Sequence, residues 1–362
     1  MKKGLDRLRI AVGMGLLTTA VLASTRSARA ATAPVDGTVV AGDANWFYDN
    51  STYGNSVVPF GCSDRQGRPV KPEKRAAIGP TPNGTGATDG CGLGITEASL
   101  SDGDFTDAFD GALVMAVNGT VFKNPDGILD LTGTTITSDA VNIGGLSTQV
   151  QFFFEPTQNA VRALYSFTNT TGAALPAAVL IDNNLGSDGN TVVEATADGD
   201  TTIEPGDNWF ATNDNGEGKG IEGVEIVDPA LTWVRFGQGA PVSTNVQPSF
   251  SPGLFRESYS LNVPAGATQR LMVIVKLSNN IAESVSSGPA MDTLPELDAL
   301  GLLAGLSLQQ QSELVNWSAV AGGQARSVPT VSEWGRLALM LTLAVGGLAA
   351  VRLGTRRRQH NG

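Results

Sequence analysis

The chain has 362 residues, with 24 Lys+Arg against 35 Asp+Glu, two cysteines and one histidine. A formal charge of −11 argues against nucleic-acid partners, because a phosphate backbone is bound through Lys and Arg. The single histidine, His360, sits in the basic C-terminal tail, which excludes Ser-His-Asp or Cys-His catalysis and His-ligated zinc from the rest of the chain.

Lys2, Lys3, Arg7 and Arg9 precede an apolar run from Ile10 to Ala23. Ala28-Arg29-Ala30 then offers a small-x-small cleavage site, so residues 1–30 read as a secretory signal peptide. In an exported chain an even cysteine count predicts a disulfide, here Cys62 to Cys91, with two free thiols as the alternative. The segment between them is rich in Gly, Pro and charge and cannot order itself by burial. Closing it by a bridge stabilises by about 3–4 kcal/mol on the loop-entropy model.

Residues 31–290 read as mainly β: a large antiparallel β-sandwich, with two small sandwiches as the alternative. Ala112–Val117, Asn118-Gly119 and Thr120–Phe122 predict a hairpin with the strongest short turn signal. Gln149–Glu155 and Ala160–Asn169 predict a second strand pair around Pro156–Asn159. Further strands are expected at Ala177–Ile181, Thr191–Ala195, Trp209–Thr212, Val224–Val227 and Leu231–Phe236. Tyr259, Leu261 and Val263 alternate with Ser258, Ser260 and Asn262, the pattern of one buried face. Leu271–Val275 is apolar on both faces and predicts a central strand covered on each side. Gly42–Phe47 and Gly206–Phe210 look alike, a weak sign of internal duplication.

The densest polar loop runs from Asp182 to Asn190, followed by Asp198-Gly199-Asp200. Asp182, Asn184, Asp188, Asp198 and Asp200 are candidate calcium ligands, since Ca²⁺ takes six to eight hard oxygens from flexible acidic loops. No EF-hand spacing occurs, and the competing reading is Asx-turns at hairpin ends. No other cofactor is expected. Trp46, Trp209 and Trp233 with Tyr48 and Tyr53 would suit a sugar-stacking platform, but in strand contexts they read first as core. A carboxylate glycosidase would need two carboxyl groups about 5–5.5 or 6.5–9.5 Å apart in a cleft.

Residues 291–317 predict a helical hairpin packed on the end of the sandwich. Leu297, Leu300, Leu303 and Leu306 recur every three residues, and Ser307-x-x-Gln310 has capping-box spacing. Residues 318–327 form a linker.

The tail, 328–362, combines Val328-Pro329-Thr330-Val331-Ser332-Glu333-Trp334-Gly335, an uncharged apolar span over 337–351 inside an expected helix over 335–353, and Arg356-Arg357-Arg358. The span predicts a transmembrane helix, short for a hydrocarbon core of roughly 30 Å. The arginine triplet is a stop-transfer signal that predicts a cytoplasmic C-terminus. The octapeptide closely resembles the Ile-Pro-Thr-Leu-Ser-Glu-Trp-Gly box of the IPTL-CTERM sorting domain, a relative of PEP-CTERM, with Val for Ile and Val for Leu. The likeness covers about a tenth of the chain. It implies recognition of residues 328–335 by an exosortase-type transpeptidase of a Gram-negative inner membrane. Cleavage would then deliver the protein to the cell surface or extracellular matrix. Asn184-Leu-Gly-Ser-Asp188-x-x-Thr191, with the Gly-Asp and Asp-x-Trp that follow, resembles uncharacterised β-rich exported bacterial proteins and implies no activity.

Both end segments are basic: 1–30 holds six basic residues and one acid, and 328–362 five and one. Without them 13 basic and 33 acidic residues remain, a net −20 that favours solubility over anionic surfaces. The expectation is a non-enzymatic surface or matrix protein. The alternative is a carbohydrate-binding protein or carboxylate glycosidase acting on extracellular polysaccharide, which rests on fold-level analogy.

Overall fold

The computed structural model describes residues 31–34, 36–52, 92–100, 108–125, 128–214, 228–240, 247–251 and 253–318. The expected signal peptide, Cys62 and Cys91, Val224–Val227 and everything from 319 onward lie outside the described residues. That last stretch includes Val328, Pro329, Thr330, Val331, Ser332, Glu333, Trp334, Gly335, Arg356, Arg357 and Arg358. Among the described residues no helix is long and apolar enough to cross a membrane.

The strands in chain order begin with β1 (Ala31–Pro34), β2 (Gly37–Ala41), β3 (Ala44–Thr52), β4 (Gly92–Leu100), β5 (Phe109–Val117) and β6 (Thr120–Val121). Then come β7 (Ile128–Thr132), β8 (Thr135–Thr137), β9 (Val141–Ile143), β10 (Leu146–Glu155), β11 (Ala160–Asn169) and β12 (Leu175–Leu185). The last are β13 (Thr191–Thr196), β14 (Trp209–Asp214), β15 (Ala230–Val234), β16 (Gln247–Ser251), β17 (Leu254–Val263) and β18 (Thr268–Ser278).

They pair antiparallel into two sheets. The first runs β1-β7-β8-β10-β11-β18-β15-β14-β13, with β9 also on β10. The second runs β16-β17-β12-β5-β4-β3-β2, with β6 also on β5. Their inner faces share one core: the Trp46 ring of β3 lies 5.7 Å from the Phe154 ring of β10, and Tyr165 of β11 donates to the Leu113 carbonyl of β5 at 2.9 Å. The expected mainly β antiparallel sandwich is therefore present.

Local chemistry explains the hairpins. Asn118 and Gly119 adopt φ of 49° and 80°, and Val117 pairs with Thr120, so the Asn-Gly turn forms where its sequence predicts. Glu155 pairs with Ala160, closing β10 and β11 around Pro156–Asn159. Asn159 Oδ1 then accepts from the Asp43 amide at 3.2 Å, tying the β2–β3 turn to this one. Gly42 in that β2–β3 turn has φ of 62°, and a Cβ there would strike the Pro156 carbonyl.

β18 lies between β11 and β15, and its two apolar faces are both used. Leu271, Val273 and Val275 enter the inter-sheet core, whereas Met272 and Ile274 enter a second core on the outer side of the first sheet. That second core places the helices. It contains Ala160, Leu164, Trp209 and Val234 from the strands and Leu294, Leu297, Leu302, Leu303, Leu306, Leu314 and Trp317 from the C-terminal segment. The segment thus lies across the outer face of the first sheet, not on the end of the sandwich. The reason is that β11 and β18 carry apolar residues outward, which must be covered.

Three short helices form: α1 (Ile281–Ser287), α2 (Leu294–Ala299) and α3 (Leu308–Ser312). Ser307 caps α3 as its spacing predicts: Gln310 N donates to Ser307 Oγ at 3.1 Å, and Ser307 N to Gln310 Oε1 at 2.9 Å. α1 falls inside the 31–290 stretch expected to be mainly β, where no helix was expected. Asn280 caps it, its Oδ1 accepting from Glu283 N at 2.9 Å. Seven residues are too few for a helical period to show in the sequence.

After α3 the chain returns to the sheet beside the half of β18 that β15 leaves free. Leu314 bridges Arg270 in parallel, and Asn316 binds both the amide and the carbonyl of Met272 at 3.0 and 2.8 Å.

Candidate functional site

The interior charges gather where β15 ends and β17 begins. Period-2 alternation turns Leu231 and Trp233 of β15 into the core. Arg235, just past the strand, follows them inward, and its Nε donates to Glu257 Oε2 at 3.2 Å. Its Nη1 donates to the carbonyls of Glu204 at 3.0 Å and Asp207 at 2.6 Å, holding the β13–β14 connection over the sandwich. On β17, Phe255, Glu257 and Tyr259 share the inner face. The Tyr259 hydroxyl lies 2.7 Å from Glu257 Oε2 and 3.0 Å from the Arg235 carbonyl. Both side chains of the Arg235–Glu257 pair are 0% exposed. An aromatic wall flanks them: the Phe255 ring lies 4.6 Å from Phe210 and 5.7 Å from Trp233.

Burial pushes the Glu257 carboxyl above its ordinary range, against the opposing pull of Arg235 and the Tyr259 hydroxyl. Burial also drives the Tyr165 and Tyr259 hydroxyls well upward, helped by the Glu257 charge. The network joins both sheets and one long connection. With Glu257 sealed and already accepting from Arg235 and Tyr259, it holds structure together and meets no solute in this conformation.

A second charged pair lies on the other face of the second sheet. Asp182 of β12 stands opposite Arg256 of β17 in register, and the two interlock side-on, Nε to Oδ1 and Nη2 to Oδ2, each at 3.1 Å. Next to it the β12–β5 register shifts, with Gly111 at φ of 131° and Leu113 at φ of 60°. Such a φ is strained for leucine. It is pinned from both sides: Asn183 Oδ1 accepts from Leu113 N at 2.7 Å, and Tyr165 donates to its carbonyl.

The candidate calcium ligands are spread over separate places. Asp182 and Asn184 belong to β12 in the second sheet, both buried, and the Asp182 carboxylate is held by Arg256. Asp188 opens a 3-10 turn, Asp188–Asn190. Asp198 and Asp200 lie in the tight turn after β13 of the first sheet. There the Thr196 hydroxyl donates to Asp198 Oδ1 at 2.8 Å, and the Asp200 carboxylate accepts from Thr202 N at 2.7 Å. These are turn-forming bonds. They hold the exposed Asp198 carboxyl below its ordinary range, with Thr196 the largest cause. Among the described residues no group of three or more His, Cys, Asp or Glu could hold a metal ion.

Trp46, Trp233, Tyr48 and Trp209 are buried in the two cores, so they are packing residues and no sugar platform; Tyr53 lies outside the described residues. The look-alike Gly42–Phe47 and Gly206–Phe210 segments enter different sheets, through β3 and β14.

Sequence reasoning missed Arg235, Glu257 and Arg256; it placed Tyr259 on a buried face, where it lies, but not in a charged network. The available signal was Arg235 inside the largely apolar Leu231–Phe236 and the adjacent charges Arg256-Glu257 between Phe255 and Tyr259. A charge in such a run is either turned outward or paired within. It also missed the carboxyl pair at the start of α2. Glu296 Oε2 accepts from Thr293 N at 3.1 Å and from Thr293 Oγ1 at 2.7 Å. Beside it Asp292 is raised to about 6, by burial first and by its bond to the Glu296 carboxyl second.

No protein-family model matches the chain, and no curated protein does. Solved structures do. A polysaccharide lyase matches at 14% identity over 53% of this chain and 32% of its own, with a TM-score of 0.33. A galactose mutarotase-like protein from Lactobacillus casei matches at 11% identity over 51% of this chain and 93% of its own, with a TM-score of 0.31. A TPR-domain containing protein from Parabacteroides distasonis matches at 10% identity over 72% of this chain and 57% of its own, with a TM-score of 0.41. The chain spans about a third of the length of that lyase. At such identities and scores these likenesses carry no argument about activity.

Proposed function

We propose that this is an exported protein sorted to the surface or matrix of a Gram-negative bacterium by an exosortase-type transpeptidase, and that its β-domain has a non-enzymatic structural or binding role. The observation that carries the reading is the ordered tail: the motif from Val328 to Gly335, the apolar span, then Arg356-Arg357-Arg358. Before processing, the span holds the protein in the inner membrane, and the arginines stay on the cytoplasmic side. The interior of the β-domain supports the second half of the reading. Asp182 and Glu257 are each committed to a buried arginine, and the described tryptophans to a core.

The test is the double substitution Pro329→Ala and Trp334→Ala in a host that carries an exosortase. The expected result is a larger protein retained in the membrane fraction, while the wild type is shortened and released outward. Unchanged mass and location in both would overturn sorting and leave a plain anchor.

A further inference from the structure

The two buried arginine–carboxylate pairs differ in one respect. Arg256 and Asp182 close both rungs of a side-on fork, Nε–Oδ1 and Nη2–Oδ2. Arg235 and Glu257 close only the first, Nε–Oε2. Arg235 Nη2 and Glu257 Oε1, the atoms of the second rung, are buried and have no protein partner. The geometry accounts for the gap. Nη1 is drawn to the Glu204 and Asp207 carbonyls, and Oε2 is shared with the Tyr259 hydroxyl, so guanidinium and carboxylate are held in slightly different directions.

Leaving a buried polar atom unsatisfied is costly, and more so when the group is charged. One of these atoms is a donor and the other an acceptor, on two groups that the 3.2 Å Nε–Oε2 bond already holds together. A water molecule can accept from the first and donate to the second, as buried waters do at otherwise unpaired polar groups. We propose that the Arg235–Glu257 fork is a built binding site for one internal water, which bridges Nη2 and Oε1 and couples the β13–β14 connection to β17. Trp233 Nε1, buried beside the same Phe255 ring and also without a protein partner, is a candidate for a third bond.

The test is a crystal structure of the full chain at a resolution that shows ordered solvent. The expected result is a solvent peak about 2.7–3.1 Å from both Nη2 and Oε1. A direct Nη2–Oε1 hydrogen bond, a peak that reaches only one of the two atoms, or no peak at all would each overturn it.

Discussion

Asp182 and Arg256 show what a single buried side chain is worth here. The pair is nearly inaccessible to solvent, 0% and 4% exposed, so removing one partner strands the other's charge. Asp182→Ala should therefore destabilise by about 3–5 kcal/mol, read as a lower urea midpoint. Asp182→Leu with Arg256→Met should recover most of that loss, because the desolvation cost goes with the charges. A second effect at this scale is titration. Asp292 is raised from 3.8 to about 6, so the folded state binds its proton more tightly than the unfolded chain does. The stability it contributes is full below pH 3.8 and is lost as pH rises through about 6. Burial raises Asp207 and Glu257 as well, which adds in the same direction. Thermal melts across that window should show a falling midpoint with rising pH, and Asp292→Asn should flatten part of the fall. An equal slope in both proteins would remove Asp292 from the account. The sequence pointed to Asp182 alone of these residues, and for a different role. Asp182 read as a loop oxygen because Asn183 and Asn184 follow it. Ser258 read as an outward position of an alternating strand, yet it is buried, as is Arg256 two residues earlier.

Elements were legible where one short stretch contains all the chemistry that decides them. Asn118-Gly119 needs only its own backbone freedom to turn, and the capping residues of α3 lie three positions apart. α1 was not legible, although its cap is local, because a seven-residue helix leaves too little pattern behind it. Its cap still carries weight: Asn280→Ala should cost about 1 kcal/mol, measured by denaturant unfolding. The helical layer as a whole was legible as leucines with a period but not as a location. Leu297, Leu303 and Leu306 are buried as expected. The surface they bury against, Leu164, Met272, Ile274 and Val234, lies on strands up to 142 positions earlier in the chain (Leu164 to Leu306).

For the whole molecule, the first sheet is shared: its inner face builds the sandwich core and its outer face the helical core. Neither core can dissolve without exposing strands that the other needs. Far-UV circular dichroism and tryptophan fluorescence, which sees Trp317 in the helical layer and Trp233 between the sheets, should therefore report one coincident transition. Two separated midpoints would show that the layers unfold independently. The sequence by itself determined what short-range chemistry can decide: the acidity of the chain, the Asn-Gly hairpin turn, the capping box of α3 and the mainly β pattern of strands. The tertiary structure alone decided which charges meet inside and which face of which sheet the helices cover. Arg235 meets Glu257, and Asp182 meets Arg256, only after distant strands have paired. No local pattern encodes such pairings, because each depends on register and sheet order, and both are set by the burial of the whole chain.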